Sequence, residues 1–343
     1  MRIIRASPAW ICGVVLLIGI AGIAWASPLI PRVEKLPATT HHSAAPPPRS
    51  GGAARRAFGR ATVFLIVMEN HNWADIKGNP SAPYINDALL PRASYAARYD
   101  NPPGNHPSLP NYLWLEAGTS FGIHDDNAPG IDHQGTTAHL VTLLRNAGIS
   151  WKAYQENIDG RTCPLTGNYP YAPKHNPTVY FDDVTGANDP RSAYCIAHER
   201  PYTELATDLR DNTTARYNLI TPNLCDDMHD ACAPTNDAVK QGDAWLARAV
   251  PRILASAAYR AGGVLLITWD EGEGGADGPI GMIVLSPHAK GHGYRNAIHY
   301  THSSALRTIE EIFGVHPLLG DAARATDLRD LFSTFPTASR NGR

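Results

Sequence analysis

The chain has 343 residues, of which 43% are hydrophobic, so it is long enough to bury a large core. Its formal net charge of −2 at pH 7 is too close to neutral for electrostatic capture of nucleic acid, and no basic run carries interleaved aromatic residues. Composition thus argues against a nucleic-acid partner and against a disordered chain beyond the N-terminal region.

The N-terminal segment, residues 1–26, predicts a secretory signal peptide. Arg2 and Arg5 supply a positive start, Trp10 to Ala24 is almost wholly apolar, and Ala24-Trp25-Ala26 offers a cleavage site. The apolar run is shorter than the roughly 20 residues of a membrane-spanning helix, which favours cleavage over an uncleaved anchor. We therefore expect a secreted or periplasmic protein with no stable membrane span after cleavage.

Residues 27–58 are rich in Pro, Ala, Ser and His, a composition that cannot bury a core, and they predict a linker. The remainder, residues 59–343, predicts a single catalytic domain. Short apolar runs alternate there with helical patterns, which is typical of an α/β fold with a mainly parallel central sheet and helices on both faces. The predicted strands are Thr62–Met68, Ile149–Tyr154, Tyr217–Thr221, Val264–Trp269 and Ile280–Leu285. The predicted helices are Thr137–Ala147, Asp237–Leu254 and Ser303–Phe313, the last capped by Gly314.

Four cysteines follow the predicted signal, and an even set in an exported chain indicates two disulfides. Proximity in sequence favours Cys225–Cys232 and Cys163–Cys195, although four cysteines permit three pairings. A zinc site is the alternative, but no pair has C-x-x-C spacing.

Ser108 lies where the N-cap of a helix would stand, ahead of Pro110 and the helix-forming run Tyr112 to Ala117. Backbone N–H groups converge at such a position and suit a phosphate. Ser108 is therefore the candidate nucleophile.

Polar residues follow three of the predicted strands, at the sheet edge where open α/β folds bind ligands. Glu69 and Asn70 follow the first strand, Asn223 follows Tyr217–Thr221 with His229 and Asp230 close behind, and Asp270 and Glu271 follow Val264–Trp269. Several carboxylates at close quarters require a cation, so a divalent metal ion is expected, with oxygen ligands favouring Ca²⁺, Mg²⁺ or Mn²⁺. The expected metal ligands are Glu69, Asn70, Ser108, Asp270 and Glu271.

Histidines number 15, and three of them stand near these motifs: His106, His229 and His302. Each is a candidate phosphate donor, metal ligand or general acid, and imidazole ligands would leave Zn²⁺ or Fe open. The expected substrate-binding residues are Asn111, Asn223 and Asp230. By contrast, His124, His133 and His139 are expected to be surface or packing residues.

These motifs resemble the phosphoesterase family of bacterial acid phosphatases and phospholipases C, in the alkaline phosphatase superfamily. The motifs that carry the resemblance are Met68-Glu69-Asn70-His71, His106-Pro107-Ser108-Leu109-Pro110-Asn111-Tyr112-Leu113, Asp227-Met228-His229-Asp230, Gly242-Asp243-Ala244-Trp245-Leu246 and Thr268-Trp269-Asp270-Glu271. By resemblance, Glu69, Asn70, Asp270 and Glu271 would ligate the metal, Ser108 would be the nucleophile, and His229 and His302 would line the phosphate pocket or metal shell. Two departures are that Glu271 stands where longer relatives often carry Asp, and that the C-terminal regions of the large phospholipases C are absent from this sequence.

The resemblance implies a secreted, metal-dependent phosphoric ester hydrolase that forms a phosphoserine. It is similar to short secreted acid phosphatases acting on small phosphomonoesters and phosphoinositides, so a small phosphorylated molecule or a phospholipid head group is the expected substrate. A phospholipase C-type phosphodiesterase is the enzymatic alternative. From another class, a periplasmic binding protein would use the same acidic residues to hold a structural metal.

Overall fold

The computed structural model describes residues 61–273 and 277–337. The predicted signal peptide and the whole of the predicted linker lie outside these ranges, as do residues 274–276 of the glycine-rich segment. No helix in the described ranges is long and apolar enough to span a membrane.

The core of the fold is an eight-stranded sheet. Its strand order is β5-β4-β6-β1-β7-β8-β2-β9, and a separate parallel pair joins β3 to β10. Only the two pairings of β8, with β7 and with β2, are antiparallel. The strands are β1 (Val63–Met68), β2 (Ser94–Ala96), β3 (Tyr99–Asp100), β4 (Trp151–Gln155), β5 (Glu199–Pro201), β6 (Tyr217–Thr221), β7 (Val264–Trp269), β8 (Met282–Leu285), β9 (Tyr294–Asn296) and β10 (Tyr300–Thr301).

Helices connect most of these strands. They are α1 (Trp73–Ile76), α2 (Ser108–Ala117), α3 (Pro129–Asp132), α4 (Leu140–Asn146), α5 (Asp182–Thr185), α6 (Ala193–His198), α7 (Leu205–Asp211), α8 (Ala238–Ala255), α9 (Ala257–Arg260) and α10 (His302–Phe313). A π-helix spans Tyr84–Leu89, and 3-10 helices span Pro173–His175, Pro177–Tyr180, Tyr202–Glu204, Gly320–Ala323 and Arg329–Leu331. The expected α/β architecture with a mainly parallel central sheet is confirmed.

The central strand β1 shows why the sheet forms here. All six residues of Val-Phe-Leu-Ile-Val-Met are buried, and β6 and β7 flank the strand in parallel. A parallel strand covered on both faces reads as a continuous apolar run, and burial of such side chains drives the fold.

All five predicted strands occur, with ends that shift by one or two residues. The three predicted helices occur as well, and Gly314 caps α10 in the left-handed region at φ 67°. One local expectation was wrong: Ser108 is the first residue of α2, and Pro107 is its N-cap. The helix includes Pro110 because a proline in the first turn loses no intrahelical hydrogen bond.

Both predicted disulfides are present. Cys163 joins Cys195 and Cys225 joins Cys232, with Cα–Cα distances of 5.4 and 5.6 Å. The second bridge closes a short loop directly after β6, and that loop carries Asp227 and His229.

Candidate active site

Three carboxylates converge where β1, β6 and β7 end. Met68 pairs with Trp269 in the sheet, so the next residues, Glu69 and Asp270, emerge side by side. The N–H of Glu69 donates to the carbonyl of Asp227 at 2.8 Å, which ties the loop after β6 to the same edge. All three acidic residues are completely buried.

Burial and mutual repulsion make this cluster costly without a cation. Burial, reinforced by the charges of Asp270 and Asp227, raises the pKa of Glu69 well above its usual value. Burial likewise raises the pKa of Asp227 strongly and that of Asp270 to about 7. Closely packed buried carboxylates are tolerated when they are protonated or when they bind a cation.

Buried oxygen atoms in the cluster lack partners, which is the arrangement a cation requires. Oδ1 of Asn70, Oδ2 of Asp227 and Oδ2 of Asp270 have no hydrogen-bond partner within the described ranges. Asn70 is fixed by its own N–H, which donates to Oδ1 of Asp270 at 3.0 Å, and it adopts φ 46°, a left-handed conformation that asparagine tolerates. These residues fit a metal ion that takes hard oxygen ligands.

Two histidines add nitrogen donors to this set. One ligand atom each from Glu69, His175 and His229 lie within 4.8 Å of one another. The ring of His175 stacks on Tyr112, and its nitrogens lie 3.2 Å from Glu69 Oε1 and 3.2 Å from Asp227 Oδ2, neither with hydrogen-bond geometry. Burial, with the charges of Lys174 and His229, lowers the pKa of His175 well below its usual value, so the ring is neutral, as a metal ligand must be.

Ser108 faces the carboxylates from the first turn of α2. Its side chain is buried, and Oγ donates a hydrogen bond to Oε2 of Glu69 at 3.1 Å. One turn later, the hydroxyl of Tyr112 donates to Oε1 of the same carboxylate at 2.6 Å. Both carboxylate oxygens of Glu69 are thereby fixed by hydroxyl groups from the first half of α2.

Glu271 belongs to a neighbouring polar cluster. Its Oε2 accepts a hydrogen bond from Nδ2 of Asn111 at 2.8 Å and lies 2.7 Å from Nδ1 of His106. The other nitrogen of His106 lies 2.5 Å from Oδ2 of Asp277. Burial and the charge of Asp270 raise the pKa of Glu271 to about 9. The structure thus groups Asn111 and His106 beside the predicted ligand Glu271.

His302 lies behind the carboxylates, away from the position expected of a general acid or a metal ligand. It is fully buried, Nε2 lies 2.6 Å from the carbonyl oxygen of Asp270, and Nδ1 lies 3.2 Å from the hydroxyl of Tyr99. A carbonyl only accepts, so Nε2 carries the proton and both nitrogens are engaged. Burial lowers the pKa of His302 to about 4. The residue positions Asp270.

Two predicted residues in the loop after β6, His229 and Asn223, make different kinds of contact. Nδ1 of His229 lies 2.7 Å from Oδ1 of Asp230, which fixes the ring and leaves Nε2 for the site. The side chain of Asn223 instead shapes the loop, since its Oδ1 accepts the N–H groups of Cys225 and Asp226. The placement of Asn223 therefore gives its expected substrate contact no support.

Helix α8 holds this loop in place. Met228 is buried in a left-handed conformation, φ 84°, and a Cβ on Gly242 would lie 2.3 Å from its Cγ. The neighbouring Gln241 accepts the N–H of Cys232 and donates to the carbonyl of Cys225. The glycine of the Gly242-Asp243-Ala244-Trp245-Leu246 motif is therefore required for close packing of the loop against the helix.

Sequence reasoning missed Lys174, His175 and the role of Asp227. Asp227 stands in the Asp227-Met228-His229-Asp230 motif, and its position after the predicted strand Tyr217–Thr221 could have indicated a metal ligand. Lys174 and His175 fall in an irregular segment without strand or helix periodicity, and only the fold brings them beside Glu69. The three histidines set aside do not join the site; His139, for example, is buried between Glu116 and Asp183 and stacks on Phe181.

Comparison with known proteins is consistent with this geometry. The sequence profile of the phosphoesterase family matches residues 99–316. Phosphatidylinositol-3-phosphatase of Mycobacterium tuberculosis is 32% identical over 79% of this chain and 83% of that protein. Phosphate-repressible acid phosphatase of Penicillium chrysogenum is 30% identical over 63% of this chain, and phospholipase C A of M. tuberculosis is 26% identical over 68%. The chain spans about half the length of these last two relatives, 51% in each case.

Solved structures share the fold at low identity. The lipoteichoic acid synthase LtaP from Listeria monocytogenes superposes with a TM-score of 0.53 at 12% identity, over 81% of this chain and 79% of that one. A protein in the alkaline phosphatase superfamily from Vibrio parahaemolyticus gives 0.52 at 10% identity, over 79% and 72%. The protein has the fold of that superfamily and is an enzyme that hydrolyses phosphate esters. The chain belongs to the phosphoesterase family.

Proposed function

We propose that the protein is an exported, metal-dependent phosphomonoesterase that acts through a phosphoserine at Ser108. The observation that carries this proposal is the buried hydroxyl of Ser108, placed at a helix N-terminus and 3.1 Å from Glu69 within a cluster of orphaned acidic oxygens. Phosphatase names among the relatives support the reaction class. Two disulfides, which persist in oxidising compartments, support export.

The metal would be held by Glu69, Asn70, Asp227 and Asp270, with His175 as the nitrogen ligand at hand, which leaves Nε2 of His229 for proton transfer. When bound, a divalent cation lowers the pKa of a nearby hydroxyl and offsets the charge of a phosphoryl group. Oxygen and imidazole donors together favour Mn²⁺, Zn²⁺ or Fe over Ca²⁺. Glu271 and Ser108 remain predicted ligands.

The chain's own groups then divide the reaction between them. Glu69 accepts the hydrogen bond of the Ser108 hydroxyl, so it orients the Oγ lone pairs and receives the proton. As the Oγ–P bond forms, the bond from phosphorus to the leaving oxygen breaks, and His229, oriented by Asp230, donates a proton to that oxygen. Water hydrolyses the phosphoserine in the second half.

Phosphomonoesters are the proposed substrates, with phosphoinositides a candidate class. A monoester dianion brings three non-bridging oxygens to a site that offers Lys174, the first turn of α2 and the cation position. The M. tuberculosis relative named as a phosphatidylinositol-3-phosphatase, matched over 83% of its length, supports the phosphoinositide class.

A direct test compares mature protein with Ser108→Ala on three substrates: p-nitrophenyl phosphate, a short-chain phosphatidylinositol 3-phosphate and phosphatidylcholine. Assays run after chelation and after addition of Mn²⁺, Mg²⁺ or Zn²⁺. The proposal expects monoester turnover that needs metal and disappears in Ser108→Ala, with acid-quenched mass spectrometry finding phosphate on the Ser108 peptide. Preferred cleavage of phosphatidylcholine would make the protein a phosphodiesterase instead.

A further inference from the structure

Asp126 binds two positively polarised groups, one in the first turn of α2 and one on Lys174. Its Oδ1 accepts the N–H of Leu109 at 3.0 Å, and its Oδ2 accepts Nζ of Lys174 at 2.8 Å. Leu109 follows Ser108 in the first turn of α2, where N–H groups lack intrahelical partners and the helix dipole is positive. One carboxylate therefore spans a helix N-terminus and a lysine.

Lys174 belongs to the active site. Its side chain is 21% exposed, and its charge opposes the rise in the pKa of Glu69, Asp227 and Glu271. The next residue is His175, which stands between Glu69 and Asp227. The charge of Lys174 thus acts on the acidic cluster, while its ammonium pairs with Asp126 at 2.8 Å.

The two groups that Asp126 occupies are of the kinds that bind phosphoryl oxygens. Anions bind at helix N-termini through free N–H groups, and lysine binds phosphate oxygens as a point charge. A carboxylate with one oxygen on each donor presents the same acceptors as two non-bridging phosphoryl oxygens.

We propose that Asp126 is an intramolecular competitor for the phosphoryl position, which a substrate phosphate must displace from Leu109 and Lys174. This inference rests on the proposed function. Displacement reduces the apparent affinity for phosphate by the fraction of molecules in which the donors are free. Asp126 thereby sets a threshold: a dianion can replace the carboxylate on both donors, and weaker anions are excluded.

The variant Asp126→Asn isolates the charge. The amide oxygen still accepts the N–H of Leu109, so the helix start stays capped, but the pairing with Lys174 is lost. Asp125→Asn is the matched control, because it changes the net charge equally at the adjacent residue, whose carboxylate accepts the N–H of Asn127 and lies beside the carboxyl group of Asp132. Lys174→Met removes the donor itself.

Isothermal titration with inorganic phosphate on metal-loaded protein measures the effect. The dissociation constant should fall about tenfold in Asp126→Asn, rise about tenfold in Lys174→Met and stay unchanged in Asp125→Asn. Phosphate binding in Asp126→Asn that is no tighter than in Asp125→Asn overturns the inference, as does weaker binding with a lowered Tm, which would make Asp126 a structural cap. If the parent hydrolyses p-nitrophenyl phosphate while these shifts are absent, only this inference fails. A parent that neither binds phosphate nor hydrolyses the ester overturns both.

Discussion

Ser108 donates a hydrogen bond to Glu69 across 3.1 Å, from the first turn of α2 to the residue directly after β1. The contact joins the hydroxyl group of Ser108 to the carboxylate of Glu69, which is fully buried. It links the helix that presents the nucleophile to the sheet edge that gathers the acidic residues.

Replacement of this serine should separate chemistry from folding. Ser108→Ala removes the attacking oxygen and one hydrogen bond to Glu69, while Tyr112 keeps its own bond to that carboxylate. We expect kcat for p-nitrophenyl phosphate to fall by about 10³-fold or more, with Tm nearly unchanged. Residual activity within tenfold of the parent would show that another group attacks phosphorus.

The metal-free protein should lose stability as pH rises. Burial raises the pKa of Asp270 from 3.8 to about 7 in the folded state, so the folded state binds this proton more tightly than the unfolded chain does. The stabilisation is complete below pH 4 and is lost as pH rises through 7. Glu271, with a pKa of about 9, extends the decline.

Urea unfolding with and without chelator measures this dependence. Addition of Mn²⁺ or Zn²⁺ should raise the free energy of unfolding much more at pH 8 than at pH 5, since a cation binds ionised carboxylates. A chelated protein that is more stable at pH 8 than at pH 5 would contradict the prediction.

Gly242→Ala should disturb the site from a distance. The new Cβ would lie 2.3 Å from Cγ of Met228, so the Met228 side chain must move, and with it we expect a shift of the loop that carries Asp227 and His229. Overpacking of this kind costs about 1–3 kcal/mol, and we expect a lower kcat together with a lower Tm. The double variant Gly242→Ala, Met228→Ala removes the clashing side-chain atoms and should restore part of the lost kcat and Tm. A Gly242→Ala variant with the kcat of the parent would contradict this prediction.

The two disulfides should have different effects. The bridge Cys225–Cys232 spans 7 positions and Cys163–Cys195 spans 32, so the chain-entropy estimate gives about 2 against about 4 kcal/mol. Replacement of both cysteines of a bridge by serine should therefore cost more stability for Cys163–Cys195, which closes the long loop. The same replacement should cost more kcat for Cys225–Cys232, because its short loop carries Asp227 and His229. Urea unfolding and steady-state kinetics test the pair, and a reversed order would refute it.

His302→Ala should reduce kcat about 10- to 100-fold by releasing the carbonyl of Asp270. His302→Gln, which keeps an N–H donor, should recover part of that rate. Because the ring is neutral with a pKa of about 4, the pH profile of kcat should keep its shape in both variants. If one of the two pH-dependent declines in kcat were absent from the His302 variants, His302 would instead be the general acid.

Features with a strong local signal could be predicted from sequence. The apolar run of β1, the amphipathic pattern of α8 and the cysteine spacings depend on neighbours along the chain, and each prediction held within a residue or two. The short strands β2, β5 and β9, of three residues each, carry too little pattern to detect.

The site could be predicted only in part, for a similar reason. Glu69 and Asp270 follow apolar strands, so their meeting follows from sheet geometry. His175 reaches Glu69 through an irregular segment, and no periodicity reports such a path. The orientation of His302 was also beyond sequence reasoning. The sequence indicates that His302 stands at the start of α10, but it does not indicate which ring nitrogen contacts the carbonyl of Asp270.

The carboxylates at the sheet edge come from segments spread between residues 69 and 270, and each is delivered by a different strand or loop. Contacts of this separation form late, since loop-closure entropy must be overcome before they become favourable. A fragment that ends with β7 lacks Asp270, and a fragment that begins after Asn70 lacks both donors that follow β1. The proposed cation would therefore bind only after β1, β6 and β7 have paired, and its occupancy would then report that this part of the sheet has folded.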